Sequence, residues 1–541
     1  MNIMRLAIGL VLIGVSAAHG QSGNFRSYSP NPYYPSTQYR APRRDVGPLP
    51  LLPTLPERAP FPRQYQNDQL DVPTMRQNQE RKPEAQRPNR KSEENEPAEK
   101  KQQEHEEKTE EKEKEEPEEA EEPEEEEKEE EEGIQLRGVF EDGFTLETKD
   151  KDYQLRIRLM EQTDFRWFLP NDQEPARTGL YIPRFRAYFE GRLTRPFEYE
   201  LSIQRSVEGT FDVLDANLNF KFCEPFQIKF GRFVVPYSYT WYDHLEQYFI
   251  TPERGLYPLN FGLSRQAGVM AHGKLQDGRI QYAVGMFSGQ IIGVADTNET
   301  RDGVAYFNFR PFLHSYNYPI LRGLNVGVSG SVGRQTTPSE SLPLRTAIQS
   351  SENDEAAQSA SAQFLEFNED VVLFGERTQG AVHLSWYYQQ LSFETEFQAG
   401  RIEYARKEHP GVTGIPVYGF HFTLGYFLTG EVIEGRGPVT PLRPFDPMHG
   451  FYGPGAFEVF ARYSQLRLSP RVFEAELANP EEWTNDAQII DVGVNWYLNN
   501  FVKFYLDWQH TIHGSPVLVN PETEQFSINN DLVWLRCQVY F

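Results

Sequence analysis

Arginine recurs two residues apart at two places in this 541-residue chain, at Arg156 and Arg158 and again at Arg184 and Arg186. In an extended strand alternate side chains share a face, so each pair points the same way. A guanidinium is a planar donor fork that stays charged and can hold two oxygens of an oxyanion at once. Two such pairs on neighbouring strands suit an anion-binding wall, and rings of Arg or Lys are the general device of anion pores. The same parity adds Arg166 and Arg192, then Lys221, Lys229, Arg310, Arg462, Lys503 and Arg536. The plainer role of each is to brace the wall by pairing with a carboxylate, for which Asp164, Glu190, Asp215, Glu394, Glu396, Glu458 and Asp507 are candidates. For a single arginine bracing is the favoured role, but the Arg156/Arg158 and Arg184/Arg186 clusters exceed what pairing needs.

Other chemistry is sparse. His244, His272, His383 and His421 show no metal-ligand spacing, and no Gly-rich loop leads from a strand into a helix to cradle phosphate. His383 and Ser385 read as interior polar residues of a strand, not as a hydrolytic pair. No catalytic residue, metal or cofactor is expected, and the chain does not read as an enzyme. Cys223 and Cys537, the only two cysteines, exclude a disulfide scaffold and a Cys-based zinc site, and they are expected to be free thiols.

The elements that would position these residues follow from charge and periodicity. The chain has 54 Lys+Arg against 79 Asp+Glu, so a basic nucleic-acid binder is excluded. Residues 1–20 read as a secretory signal: Arg5, then the apolar run Leu6–Val15, then Ala18-His19-Gly20 before cleavage. Ten apolar residues are too few to span a bilayer. Residues 21–132 hold 16 of the 39 prolines and, from 101, 20 Glu with 5 Lys, a composition that predicts a disordered Pro-rich and then acidic arm.

From residue 133 the chain turns aromatic, Gly-punctuated and alternating, which predicts an all-β, 16-stranded antiparallel transmembrane β-barrel over 133–541. Strands are expected at 153–168, 181–193, 197–206, 211–222, 226–234, 265–275, 279–288 and 302–311. Eight more follow at 321–335, 376–389, 391–405, 415–429, 455–469, 486–498, 501–513 and 529–541. In 211–222 Leu214, Ala216, Leu218, Phe220 and Phe222 alternate with Asp215, Asn217, Asn219 and Lys221. In a barrel wide enough for water the apolar face looks outward to lipid. The closing strand ends in Phe541, the aromatic by which barrel-assembly machinery recognises many outer-membrane barrels. With that end taken as periplasmic, the long connections 235–264 and 336–375 fall outside, and 430–454 is a long exception on the periplasmic side.

Arg184-Phe185-Arg186-Ala187-Tyr188-Phe189-Glu190-Gly191, Gln227–Phe233 running into Pro236, Phe427–Glu431, Gly455–Ser464 and Gly493–Asn499 resemble, in order and spacing, the phosphate-selective porins O and P. The resemblance covers roughly 138–541. It implies a usually trimeric barrel narrowed by two inserted outer loops and one periplasmic turn, here 235–264, 336–375 and 430–454, with arginines along the lumen and lysines at the constriction. On two of those segments Arg254, Arg436 and Arg443 become candidate constriction cations. Loop 235–264 departs from the family: it has no lysine, and Arg254 stands against Asp243, Glu246 and Glu253.

These readings combine into a passive outer-membrane diffusion channel for small anions, phosphate or polyphosphate among them, with the arm in the periplasm. Its expected partners are outer-membrane lipid, small anionic solutes, two further copies in a homotrimer and, through Phe541, the assembly machinery. The rival is a non-conducting structural barrel tethering the envelope through the arm.

Overall fold

The computed structural model describes residues 135–140, 142–206, 211–290, 297–348, 359–407, 409–448 and 453–541. The expected signal and arm, 1–132, lie outside the described residues. The described chain opens with a hairpin, β1 (Leu136–Phe140) and β2 (Phe144–Thr148). Nine wall strands follow: β3 (Gln154–Leu169), β4 (Gly179–Thr194), β5 (Phe197–Ser206), β6 (Phe211–Cys223), β7 (Phe226–Val234), β8 (Arg265–Leu275), β9 (Ile280–Phe287), β10 (Asp302–Phe309) and β11 (Gly323–Glu340). A short pair, β12 (Leu344–Arg345) and β13 (Gln363–Leu365), interrupts them. Seven more complete the wall: β14 (Val371–Tyr388), β15 (Leu391–Arg406), β16 (His409–Phe427), β17 (Ala456–Leu468), β18 (Asp486–Tyr497), β19 (Val502–Asn520) and β20 (Gln525–Tyr540).

Each wall strand pairs antiparallel with the next, and β20 returns to β3 with Tyr540 opposite Met160 and Arg536 opposite Asp164, so the sixteen-stranded barrel is closed. Closure leaves no wall edge, which is the condition for backbone polar groups to survive in lipid. Leu159 and Phe541 exchange backbone hydrogen bonds at 2.8 and 3.1 Å and finish the seam.

All sixteen expected strands are present, and 197–206, 226–234 and 265–275 match residue for residue. Several run longer than expected at the end opposite Phe541, as β16 and β19 do, because their partners continue the ladder beyond the lipid-facing band. Alternation has the inverted sense: Phe230, Val284 and Phe397 face outward, while Gln162, Ser385 and Gln398 are buried inside.

The β1–β2 hairpin was not expected. The Asp142-Gly143 pair is the available signal, with Gly143 at φ 94°, a backbone that glycine adopts without strain. β2 pairs with Gln154–Ile157 of β3, on the edge that β20 leaves free below Met160. Phe140 then packs on Phe501 and Phe541, with centroids 5.8 and 6.1 Å away.

The expectation of a polar inner face fails most extensively in one region. At the end opposite Phe541, Ile402, Tyr404, Ile415, Val417, Leu466, Leu468 and Ile489 face inward and are buried. They pack with Leu344, Phe364 and Leu365 and with Val472 and Trp483, from the connections 341–370 and 469–485, in one apolar core. The infolded connections displace water there, so the wall is apolar on both faces.

Candidate channel constriction

Between β7 and β8 residues 235–264 turn into the barrel, forming α1 (Tyr239–Tyr242), a 3-10 turn at Glu246–Tyr248, and α2 (Leu256–Phe261). Helices this short are not stable alone. The Trp241 Nε1–H donates to the Pro258 carbonyl at 2.6 Å and joins them. Gly262 is required by close approach, since a Cβ there would lie 1.9 Å from Trp241 Nε1. The wall holds the entry of the segment: Glu396 on β15 accepts from the Tyr239 N–H, Ser238 Oγ and Thr240 Oγ1 at 2.8–3.0 Å. Asp243 accepts from Gln281 and from Tyr306 and Asn308 on β9 and β10.

From Gln247 to Glu253 the segment turns its carbonyls to the wall on the other side. Gln538 donates to Gln247 O at 3.0 Å, Arg436 to Tyr248 O at 3.1 Å and Lys503 to Phe249 O at 2.7 Å. Asn495 donates to Ile250 O at 2.8 Å and Arg536 to Pro252 O at 2.6 Å. Arg462 donates to Thr251 Oγ1 at 2.8 Å and also to Glu253 O. Buried backbone acceptors need such partners, so these cations fix the path of the segment.

Its two buried carboxylates complete the attachment. Arg184 donates to both oxygens of Glu253 at 2.5 and 2.8 Å, and Arg536 reaches the same group at 3.2 Å. Glu246 lies 3.2 Å from Arg186, 3.3 Å from Arg254 and 3.8 Å from Arg265. Burial alone would raise the Glu246 carboxyl, but Arg186, Arg254, Arg265 and Arg184 hold it well below the usual carboxylate range. Glu253 is likewise lowered, against burial, chiefly by Arg184. His244, which burial depresses to about 3, is neutral.

Most of the expected cations separate into two groups. Arg184, Arg186, Arg462, Lys503 and Arg536, with Arg254 and Arg436, hold the inserted segment. Arg436 also carries Glu458 at 2.8 Å, and Arg254 stacks over Trp241 at 3.6 Å. Arg166 is fully buried, pairs with Asp164 at 2.7 Å and lies over the Trp534 ring at 4.2 Å. Nearer Phe541, Arg156, Arg158, Arg192, Lys221 and Lys229 retain solvent contact, Arg156 with 35% of its side chain exposed. Arg156 lies 3.7 Å and Arg158 2.5 Å from Glu190, Arg192 and Lys221 lie 3.5 and 3.6 Å from Glu198, and Lys229 lies 3.8 Å from Glu200.

Some placements correct the expectation. Arg184 and Arg186 are not surplus to pairing, because the carboxylates that meet them come from the inserted segment and not from neighbouring strands. Arg310 lies one residue past β10, and Arg443 is exposed in the 428–455 connection, outside the cluster. Glu396 takes no arginine, and Asp507 accepts no hydrogen bond from a described residue. Ser385 donates to Tyr239 Oη at 2.9 Å while His383 Nε2 meets Asn308 at 3.1 Å, so these two serve separate contacts. Cys223 and Cys537 form no disulfide with each other.

Arg265 and Arg377 were not among the expected lumen cations, and parity could have found only the second. Arg265 is the first residue of β8 and has the outward parity of its strand, yet it bonds Asp215 at 3.1 Å; its place directly after the insert was the usable signal. Arg377 shares the inward parity of His383 and pairs with Asp302 at 2.7 Å.

Porin O of Pseudomonas aeruginosa is 22% identical over 406 residues, covering 72% of this chain and 87% of that protein. An anion-selective porin from Comamonas acidovorans aligns at 12% identity, over 72% of this chain and 100% of that one, with a TM-score of 0.43. OmpT of Vibrio cholerae aligns at 10% identity over 72% and 98%, with a TM-score of 0.42. The sequence profile of the phosphate-selective porin O and P family matches residues 155–541, and the chain belongs to that family of outer-membrane diffusion channels.

Proposed function

We propose that the chain conducts small anions passively across the outer membrane, with phosphate among its solutes. The observation that carries this reading is the accessible row Arg156, Arg192, Lys221 and Lys229 on the inner faces of β3, β4, β6 and β7, beside the more deeply set Arg158. Most of its ion pairs are longer than 3.4 Å. Such loose, wet pairs are weak, so a passing anion can replace a carboxylate at little cost. Membership of a phosphate-selective family supports the same solute class. Trimeric assembly belongs to this proposal, as does a periplasmic arm, since the β1–β2 hairpin that would follow it lies at the Phe541 end of the barrel. Changing Arg156 and Lys229 to Glu reverses two charges in a confined space where screening is reduced. Anion preference, read from the reversal potential in dilute salt, should fall or invert; an unmoved potential refutes this path.

The non-conducting structural barrel has one observation in its favour, the dense attachment of 235–264 across the lumen. It predicts no conductance at all in a planar bilayer.

A further inference from the structure

The connection 428–455 between β16 and β17 has two parts, on opposite sides of the wall. The first turns inward: Arg436 donates to Tyr248 O on the inserted segment at 3.1 Å, and Val439 packs against the buried cluster of Phe427, Ile433 and Tyr497. The second, 441–448, comes out over the rim. The Phe445 N–H donates to Leu498 O at 2.7 Å, and the Phe445 ring meets Trp496 edge-on with centroids 5.3 Å apart. Trp496 has the outward parity of β18, since Asn495 and Tyr497 on either side of it are buried inside. It contacts in turn Phe457 and Phe504, outward residues of β17 and β19, at 5.8 and 5.9 Å. Leu442 and Met448, three residues to either side of Phe445, are 67% and 87% exposed. Leu428, the next outward position after Tyr426 on β16, is 62% exposed.

We propose that 441–448 is a strap on the membrane interface: it lies at the headgroups of the leaflet at the Phe541 end and sets the Leu442 and Met448 side chains into the surrounding phospholipid. The proposal is independent of which solute passes, and needs only the barrel's place in a membrane.

Irregular backbone is normally kept out of lipid because its N–H groups find no acceptor there. This segment avoids most of that cost. Pro438, Pro441, Pro444 and Pro447 recur every three residues, and a proline has no N–H to satisfy. The Leu442 N–H donates to Glu431 Oε1 and the Met448 N–H to Asp446 Oδ1, each at 3.0 Å. Within 441–448 three residues therefore lack a donor, and three more have theirs paired inside the chain. The returning limb is held close: the Gly455 N–H donates to Arg443 O at 3.0 Å, and a Cβ on Gly453 would lie 1.9 Å from Pro444 O. The Trp496 Nε1–H is bonded to Pro454 O at 2.8 Å, which suits an indole to the polar edge of the hydrocarbon, where aromatic belts sit. Apolar side chains left outside this band adjoin the lipid-facing wall, and phospholipid is the one occupant continuous across both.

The test uses the full chain with Cys223→Ser and Cys537→Ser, reconstituted in phosphatidylcholine vesicles, and a bimane label on Leu442→Cys or Met448→Cys. Asp277→Cys, in the tight turn after β8 at the same end, is the aqueous reference, and Val284→Cys, half-exposed on the outward face of β9, is the lipid reference. Phospholipid carrying a nitroxide high on its acyl chain should quench the 442 and 448 labels about threefold more than the 277 label, and aqueous iodide about threefold less. Heat-dependent gel migration checks that each labelled barrel is folded, and where one position impairs assembly the other decides. Labels quenched like the 277 label, by iodide and not by the lipid, place the segment in water and overturn the proposal. Labels shielded from both quenchers place it against a second copy of the chain and overturn it equally.

Discussion

Asp164 offers the sharpest energetic test, because one carboxylate with no exposed surface closes the barrel seam. It accepts from Arg536 at 2.6 and 2.9 Å across the β20–β3 junction and from Arg166 at 2.7 and 3.1 Å along its own strand. Asp164→Asn preserves size but removes the charge and turns an amide donor toward two guanidinium groups. Four charge-assisted bonds at about 1.5–3 kcal/mol each set a ceiling of roughly 6–12 kcal/mol. The actual loss is smaller, since Arg536 retains Glu253 and Pro252 O and Arg166 retains Ala360 O. Breaking a buried pair from one side costs about 3–5 kcal/mol, which is roughly two to three and a half powers of ten in the folding constant. Urea unfolding of the barrel refolded in phospholipid vesicles, followed by tryptophan fluorescence, measures it. Arg401→Ala is the control, because its pair with Glu403 is more than half exposed on the arginine side; it should lose less than about 1 kcal/mol. If Asp164→Asn loses no more than Arg401→Ala, the seam is not held by this cluster.

Two more outcomes follow. Deleting 136–148 uncovers the β3 edge and the Phe541 ring, so heat-dependent gel migration should shift to lower temperature with the conducting barrel otherwise intact; an unchanged transition assigns the hairpin no role in the seam. On pH, a carboxyl held below its unfolded value of about 4.3 stabilises the fold above that value and loses this as pH falls through the folded one. Glu246, faced by Arg186, Arg254, Arg265, Tyr188 and Asp215, and Glu253, faced by Arg184, Arg254 and Arg536, are both lowered, and His244 at about 3 stays neutral. The hold of these two carboxylates on the inserted segment should therefore be constant from pH 7 to 5 and weaken only in stronger acid, read as the difference in urea unfolding between the parent and Glu253→Gln; a difference that collapses near pH 6 contradicts the assignment of these charges.

The wall was legible because lipid outside and water inside impose a period of two that survives in sequence. Leu214 to Phe222 alternate cleanly, and β5, β7 and β8 follow residue for residue. Parity told which way Arg184 faces but not what it meets, since Glu253 lies 69 positions away on a segment with no regular period. The inward apolar face around Ile402 and Leu466 was hidden for a related reason: a two-sided apolar strand end reads as a strand limit unless the infolded connection is known. Arg265 escaped because the chain turns inward at the first residue of its strand. The family resemblance did point to 235–264 as an inward segment, and Arg254 and Arg436 each bond a residue of it, Glu246 and Tyr248.

The reversal potential of single channels of the full chain in a planar bilayer, under a tenfold salt gradient, tests the central claim most directly. A potential of the sign set by anion permeation, from discrete conducting steps, is what this structure predicts. A cation-selective potential, or no conductance from a barrel shown to be folded and inserted, would contradict it.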